Sequence, residues 1–210
     1  MVPPKTYRFI AAVLILLSGC STRFIVSKVD TSYQGQPQAK KTGNVIATIP
    51  KDSRINKLNV PNFDRTWGYL TDRGLYNNVL SSEHVISADI ADIIVSVCQA
   101  KGYDTQVAES SDTPIEGVKI VESEITEFWV DSQSAGLGAF KVTTFFSLKL
   151  KVRDKDSRNV LKETVVSVKD NQTRGAASMG QGVKGTTEVF SENLEKFKDR
   201  LYEKLKLEAE

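Results

Sequence analysis

The chain has 210 residues, with 28 Lys+Arg against 26 Asp+Glu, two cysteines and a single histidine. Lys5 and Arg8 are the only charges before Cys20, so the part from Cys20 onward carries 26 of each sign and is formally neutral. That removes any composition-level case for nucleic acid, which needs a clustered positive excess. Two cysteines likewise exclude a disulfide framework.

The first stretch reads as an export leader. Lys5 and Arg8 form a positive start, and Phe9 to Leu17 is almost purely apolar. This run is about half of the roughly 20 residues that cross a bilayer, which favours a cleaved leader over a transmembrane helix. It ends in Leu17-Ser18-Gly19-Cys20, which resembles the bacterial lipobox at all four positions. The resemblance implies cleavage before Cys20, a diacylglycerol on its sulfur and an N-acyl chain on its amine. Two or more chains anchor stably where one binds marginally. Ser21 stands where an Asp would signal inner-membrane retention in Gram-negative bacteria, so the expected location is the periplasmic face of the outer membrane. The chain therefore divides into a leader at 1–19, a lipidated start and tether at 20–43, and one domain at 44–210. Residues 20–210 are long enough for one sizeable core.

Arg23 to Val29 is short and β-prone and reads as an edge strand, and 30–43, with its Gly, Pro and Gln, as loop or tether. Asn44 to Ile49 is a strand ended by Pro50, 58–64 is loop, and Thr66 to Asp72 is a further strand. From Ser82 the period changes. Ile86, Ile90, Ile93, Ile94, Val97 and Cys98 share one helical face, with Asp89, Asp92, Ser96 and Gln99 opposite. Ser82 or Ser87 is the expected cap and Gly102 the left-handed stop. Gly117 to Val130 reads as a strand whose alternation slips near Val121, suggesting a bulge. Phe140 to Arg153 alternates strictly, apolar against Lys141, Lys149, Lys151 and Arg153, with Thr144 and Phe145 as exceptions. Such a pattern argues an antiparallel sheet with one wet face. After a turn at 154–159, Val160 to Lys169 returns, and a last amphipathic helix runs from about Thr187 to Leu207.

Before that helix stands Gly180-Gln181-Gly182-Val183-Lys184-Gly185, with the G-x-G-x-x-G spacing of a dinucleotide turn. A dinucleotide fold needs a following parallel strand with an acid about twenty residues on, and the sequence shown stops near the end of the helix. Arg174 to Gly185 is instead expected to be a mobile, glycine-rich connection or a contact loop. A triad using His84 would need an oriented carboxylate and nucleophile that a sequence does not display, and a metal site would need more soft ligands, so a capping or exposed role is expected. Asp52 and Arg54 form a local ion pair or turn, Trp67 and Trp129 are core or rim aromatics, and Cys98 is a buried, inert thiol. The lysines of the alternating strand oppose Glu122, Glu124 and Glu127, so cross-strand pairing is weighed against a partner surface at Lys141, Lys149, Lys151 and Arg153.

The lipobox, the Val45-Ile46-Ala47-Thr48-Ile49 strand with Asp52-x-Arg54, the helix from Ile86 to Tyr103 and the alternating strand to Arg153 together resemble the YajG-type family of bacterial lipoproteins. Similar architecture occurs in auxiliary lipoproteins of lipid-transport ABC systems. The resemblance implies an envelope lipoprotein without assigned activity, and carries over no site beyond Cys20. The expected fold is α+β, a mainly antiparallel sheet with two amphipathic helices on one face. The expected role is a non-enzymatic interaction or accessory protein in envelope assembly or transport, with no cofactor beyond the acyl chains, a membrane and an envelope protein as partners, and no nucleic acid. The alternative is a binding module for a small molecule or lipid held between helices and sheet.

Overall fold

A computed structural model describes residues 23–35, 43–56, 59–60, 62–72, 76–108, 118–136, 138–154, 160–176 and 178–207. The leader, Cys20, residues 36–42 of the expected tether and the 155–159 turn lie outside the described residues.

The strands are β1 (Arg23–Ser27), β2 (Asn44–Thr48), β3 (Lys51–Asp52), β4 (Thr66–Asp72), β5 (Tyr76–Ser82), β6 (Asp104–Ala108), β7 (Val118–Ser134), β8 (Ala139–Asp154) and β9 (Val160–Gly175). The helices are α1 (Ile86–Ala100) and α2 (Met179–Lys204), with a short 3-10 turn at Phe63–Arg65. The fold is α+β as expected, but the curled sheet is mixed and not mainly antiparallel. The long meander β7-β8-β9 and the β4-β5 hairpin are antiparallel, whereas β2, β3 and β4 all join β7 in parallel, β6 joins β2 in parallel and β1 joins β5 in parallel. Alternation reports which face a residue takes and is silent on strand direction, so only the meander's sense was readable.

β7 pairs along one edge with β8 from Lys119 to Ser134. Its other edge is shared in turn by β2 at 118–121, β3 at 124–125 and β4 at 130–133. Between β3 and β4 a side chain replaces a strand. Arg54, only 3% exposed, donates from Nη1 to the Phe128 and Thr66 carbonyls at 3.1 and 2.7 Å and from Nη2 to the Phe63 carbonyl at 3.1 Å. Asp52 holds the guanidinium with two further bonds of 2.9 and 2.7 Å. The planar fork suits this five-bond arrangement and a lysine does not. The bulge in β7 falls between Ile125 and Glu127, not near Val121. The extra residue, Thr126, moves the core-facing set from Val121 and Ile125 to Phe128, Val130 and Ser132.

Both helices bury their apolar stripes in one core cluster with the inner sheet face. All six residues of the predicted α1 stripe are at 0% exposure. Neither Ser82 nor Ser87 caps that helix. Val85 is the N-cap residue, and the Ser82 hydroxyl donates instead to Asp89 at 2.6 Å, which makes Asp89 tolerable as a buried group on a face read as exposed. Gly102, at φ 90°, closes the helix as predicted. Aromatic rings fill the centre: Phe128 stacks on Phe146 at 4.6 Å, and Phe190 meets both edge-on and Trp67 at 4.1 Å. Thr144, an exception to the alternation, faces inward and accepts a bond from the buried Asn193 of α2 at 3.2 Å.

The largest departure from the sequence reading is at the glycines. Arg174 and Gly175 end β9, Ser178 caps α2 by accepting from the Gln181 amide, and the helix begins at Met179, eight residues before Thr187. Gly180, Gly182 and Gly185 are therefore inside the first turns of a helix. At Gly182 the reason is close packing: a Cβ there would lie 2.6 Å from the Phe140 ring. One turn on, the buried Thr186 hydroxyl donates to the Gly182 carbonyl at 2.8 Å and lies 2.9 Å from the Ser132 hydroxyl. Propensity alone opposes a helix here, and the fit of a bare backbone against β8 overrides it.

Residues 30–35, read as loop and tether, strap the helices. The Tyr33 amide donates to Ser96 of α1 at 2.6 Å, its ring packs 5.2 Å from Tyr202 of α2, and the fully buried Lys198 ammonium donates to the Ser32 carbonyl at 2.6 Å. The outer edge of β9 is blunted from α2: Lys204 donates to the Val165 carbonyl at 3.0 Å and Arg200 to that of Ser167.

Two stability effects are expected, both measurable by urea unfolding. Gly180→Ala, with nothing nearer than Ser178 Oγ at 4.0 Å, should stabilise by about 0.5–1 kcal/mol, while Gly182→Ala should fall at least about 1 kcal/mol below it. Arg54→Lys should cost about 2–4 kcal/mol, because one ammonium cannot reach all three carbonyls and the carboxylate.

Candidate functional site

With both helices on the inner face, the outer face of the sheet is where side chains meet solvent. The Thr126 bulge sets its lining. Beyond it, Glu127, Trp129, Asp131 and Gln133 of β7 point outward, opposite the core-facing Phe128, Val130 and Ser132. The parallel register of β4 puts Tyr69 beside Asp131 and Thr71 beside Gln133, and the antiparallel register of β8 puts Phe145 beside Trp129. Phe63 of the 3-10 turn closes one wall, its ring 6.0 Å from that of Trp129 and 4.7 Å from the Arg54 guanidinium. These residues enclose a cleft of about 530 Å³, with Ile55, 74% exposed, on its rim. That volume is within the ordinary range of ligand sites, which are mostly apolar with a few placed polar groups.

The cleft is aromatic and acidic. Asp131 is half-buried, and burial pushes its carboxyl above the usual range against the Gln133 amide, which donates to it at 2.8 Å. The Tyr69 phenol is also pushed up, first by burial and then by the Asp131 charge. Arg54 is committed to Asp52 and to backbone carbonyls, and among the described residues no cation pairs with Asp131. An unpaired carboxylate between aromatic faces suits a cationic or hydrogen-bond-donating group carried on an apolar body. Lys169 already shows the geometry on the same sheet face, its ammonium 5.1 Å from the Phe145 ring centroid.

The basic residues of β8 lie mostly elsewhere on this face. Lys149 pairs with Glu124 at 3.4 Å, Lys151 with Glu163 at 3.3 Å, and Arg153 with Glu122. Lys141 is apart from them, across from Gln133 at the opposite end of β8. His84 is exposed, with its backbone amide on the Ser82 hydroxyl, and Cys98 is buried with its thiol pushed up to about 12. Among the described residues no group of three or more His, Cys, Asp or Glu could hold a metal ion, and no helix is long and apolar enough to cross a membrane. The glycine motif offers no phosphate cradle, since the Gly182 amide is spent on the Ser178 carbonyl at 3.0 Å.

The two tryptophans, read together as core or rim aromatics, are one of each. Trp67 is core at 1% exposure, and Trp129 is rim. Sequence reasoning missed the outer-face cleft that Trp129 lines. The usable signal was Phe145, an aromatic on the polar side of a strictly alternating strand.

No family model matches the chain, and no curated protein matches it. Solved structures do. A Xanthomonas campestris protein, XCC0632, classed under DUF330, superposes with a TM-score of 0.51 over 86% of this chain and 93% of its own, at 12% identity. A Helicobacter pylori homolog of a neuraminyllactose-binding hemagglutinin gives 0.50 over 86% and 92%, at 11% identity. Lipoprotein GNA1162 of Neisseria meningitidis gives 0.37 over 71% and 96%, at 12% identity. The first two show a fold shared with bacterial proteins, and no match singles out the YajG type.

Asp131 supplies a pH test. A carboxyl raised in the folded state makes the fold bind its proton more tightly than the unfolded chain does, so its charge weakens the fold at neutral pH. Asp131→Asn should therefore be more stable than the wild type at pH 7. The difference should shrink as pH falls through the raised value toward the usual carboxylate range, as read by thermal unfolding at a series of pH values.

Proposed function

We propose that this protein is an envelope lipoprotein of the YajG kind, held by acyl chains on Cys20 at the periplasmic face of the bacterial outer membrane. In this reading it serves envelope assembly or transport as a non-enzymatic accessory protein. Its working surface is the outer-face cleft of Tyr69, Trp129, Asp131 and Phe145. The observation that carries this choice is the contrast on one sheet face: the charges at Lys149, Lys151 and Arg153 are answered by acids of neighbouring strands, whereas the Asp131 carboxylate faces an open aromatic cleft. Lys141, close to Gln133, belongs to the margin of that surface. Anchoring supplies the mechanism, because confinement to a membrane raises the effective concentration for a co-anchored partner without a new contact.

A second reading, a small-molecule or lipid-binding module such as an auxiliary component of an ABC lipid-transport system, is favoured by the cleft volume. The space between helices and sheet does not favour it, since the core aromatics there are at 7% exposure or less.

A photo-crosslinker placed at Trp129 in cells, compared with one at Lys149, tests the proposal. The cleft position should capture a discrete envelope partner and the stripe position should not, and Cys20→Ala should reduce capture by about tenfold through lost confinement. Equal capture with Cys20→Ala would remove the anchoring mechanism, and equal capture at Lys149 would remove the cleft. A small ligand retained by the wild type and lost in Trp129→Ala would select the second reading.

A further inference from the structure

The register of the edge strand determines which end of the domain an anchor on Cys20 can bring to a bilayer. β1 begins at Arg23, three residues after Cys20. Three residues span at most about 11 Å, so the anchor point lies within that distance of the start of β1. Arg23 is level with Asn78 of β5, Asn78 with Leu70 of β4, and Leu70 with Ser132 near the end of β7. The same end carries the β7–β8 turn, the link from β9 to α2 and the first turn of α2. The turn and the link are tied together, the Ala176 amide donating to the Gly138 carbonyl at 2.6 Å. No charged residue occurs from Ser134 to Phe140 or from Gly175 to Val183, in a chain that is 26% charged overall. Ala135, Gly138, Gly175 and Gly180 on this end are exposed. Charges resume at Lys141, at Arg174, which pairs with Glu192, and at Lys184, 4.0 Å from Glu188, while the end of β4 brings Asp72 one residue past the Thr71–Gln133 pair, so the uncharged part of this end is the turn and the link themselves.

We propose that the end formed by the β7–β8 turn and the β9–α2 link is the face this protein lays on the bilayer, with β7, β8 and β9 running away from the membrane. The inference rests on the Cys20 anchor of the proposed function. It adds an orientation in which the cleft, through Asp131 and Gln133, opens on the flank of the membrane-proximal half. A partner bound there meets the protein close to the lipid surface.

Amine footprinting tests the orientation apart from the anchor itself. The mature chain is coupled through Cys20 to a maleimide-headgroup lipid in phosphatidylcholine vesicles. Cys98, buried and with its thiol pushed up, does not compete. Lysine acetylation is then followed by mass spectrometry on vesicles and in solution. Lys141 and Lys184 should react about fivefold more slowly on vesicles, while Lys149, about 26 Å farther along β8, and Lys51 change by less than about twofold. A Gly/Ser linker of about twenty residues inserted after Cys20 should restore much of the lost reactivity if the short tether holds the face down. Equal slowing at Lys149 and Lys51, or no slowing at Lys141 and Lys184, overturns the orientation. The mass of native residue 20 is a separate readout: an unacylated cysteine there ends the anchoring reading without deciding the footprint.

Discussion

The structure depends on one strand being hydrogen-bonded along both edges. β7 is 17 residues long, and β8 alone takes up one of its edges, whereas three short segments from residues 44–72, all far from β7 in sequence, share the other. Backbone groups of a buried strand must all find partners, so the interval between β3 and β4 needs a donor for the Phe128 carbonyl. Arg54 supplies it, and in doing so joins the β3 end, the 3-10 turn, β4 and β7 at one point. The Thr126 bulge beside it changes which residues face inward. Half of β7 thereby serves the core with Val121 and Ile125 and the other half with Phe128 and Val130, while Trp129 and Asp131 are released to the outer face. The cleft is thus a consequence of how β7 is paired.

The inner face shows how a helix with weak propensity is held. The first turns of α2 contain three glycines, and what keeps them helical is the Ser178 cap, the approach of Gly182 to Phe140, and the buried hydroxyls of Thr186 and Ser132. Farther along, Asn193 bonds Thr144, Lys196 reaches Asp170, and Arg174 pairs with Glu192. These contacts align α2 with the full length of the meander. The Tyr33–Lys198 strap then ties the N-terminal segment across both helices, so a pull on Cys20 would be transmitted into the folded domain within a few residues and not absorbed by a long tether.

Elements whose residues alternate between core and solvent were legible in the sequence. The α1 stripe, its Gly102 stop and the β8 alternation each follow from local periodicity, because burial imposes the 3.6- or 2-residue repeat directly on the chain. β5 and β6 escaped notice because YNNVLSS and DTQVA carry too few apolar residues to show a period. The glycine run was misread because its helix comes from a neighbour's ring. Of the cleft, Phe145 left a trace as an outlier, and the Asp52-x-Arg54 pair was visible only as a local ion pair.

By itself the sequence determined the charge neutrality of the chain from Cys20 onward, the two amphipathic helices and the wet-faced meander, all properties of residues close together along the chain. Strand direction, the place of the bulge, the use of Arg54 as a fourth partner on one edge of β7, the helical glycines and the gathering of Tyr69, Trp129, Asp131 and Phe145 were decided only by the tertiary structure. The physical reason is that each depends on the pairing of backbone segments tens of residues apart, and such pairing leaves no period in the sequence of either partner.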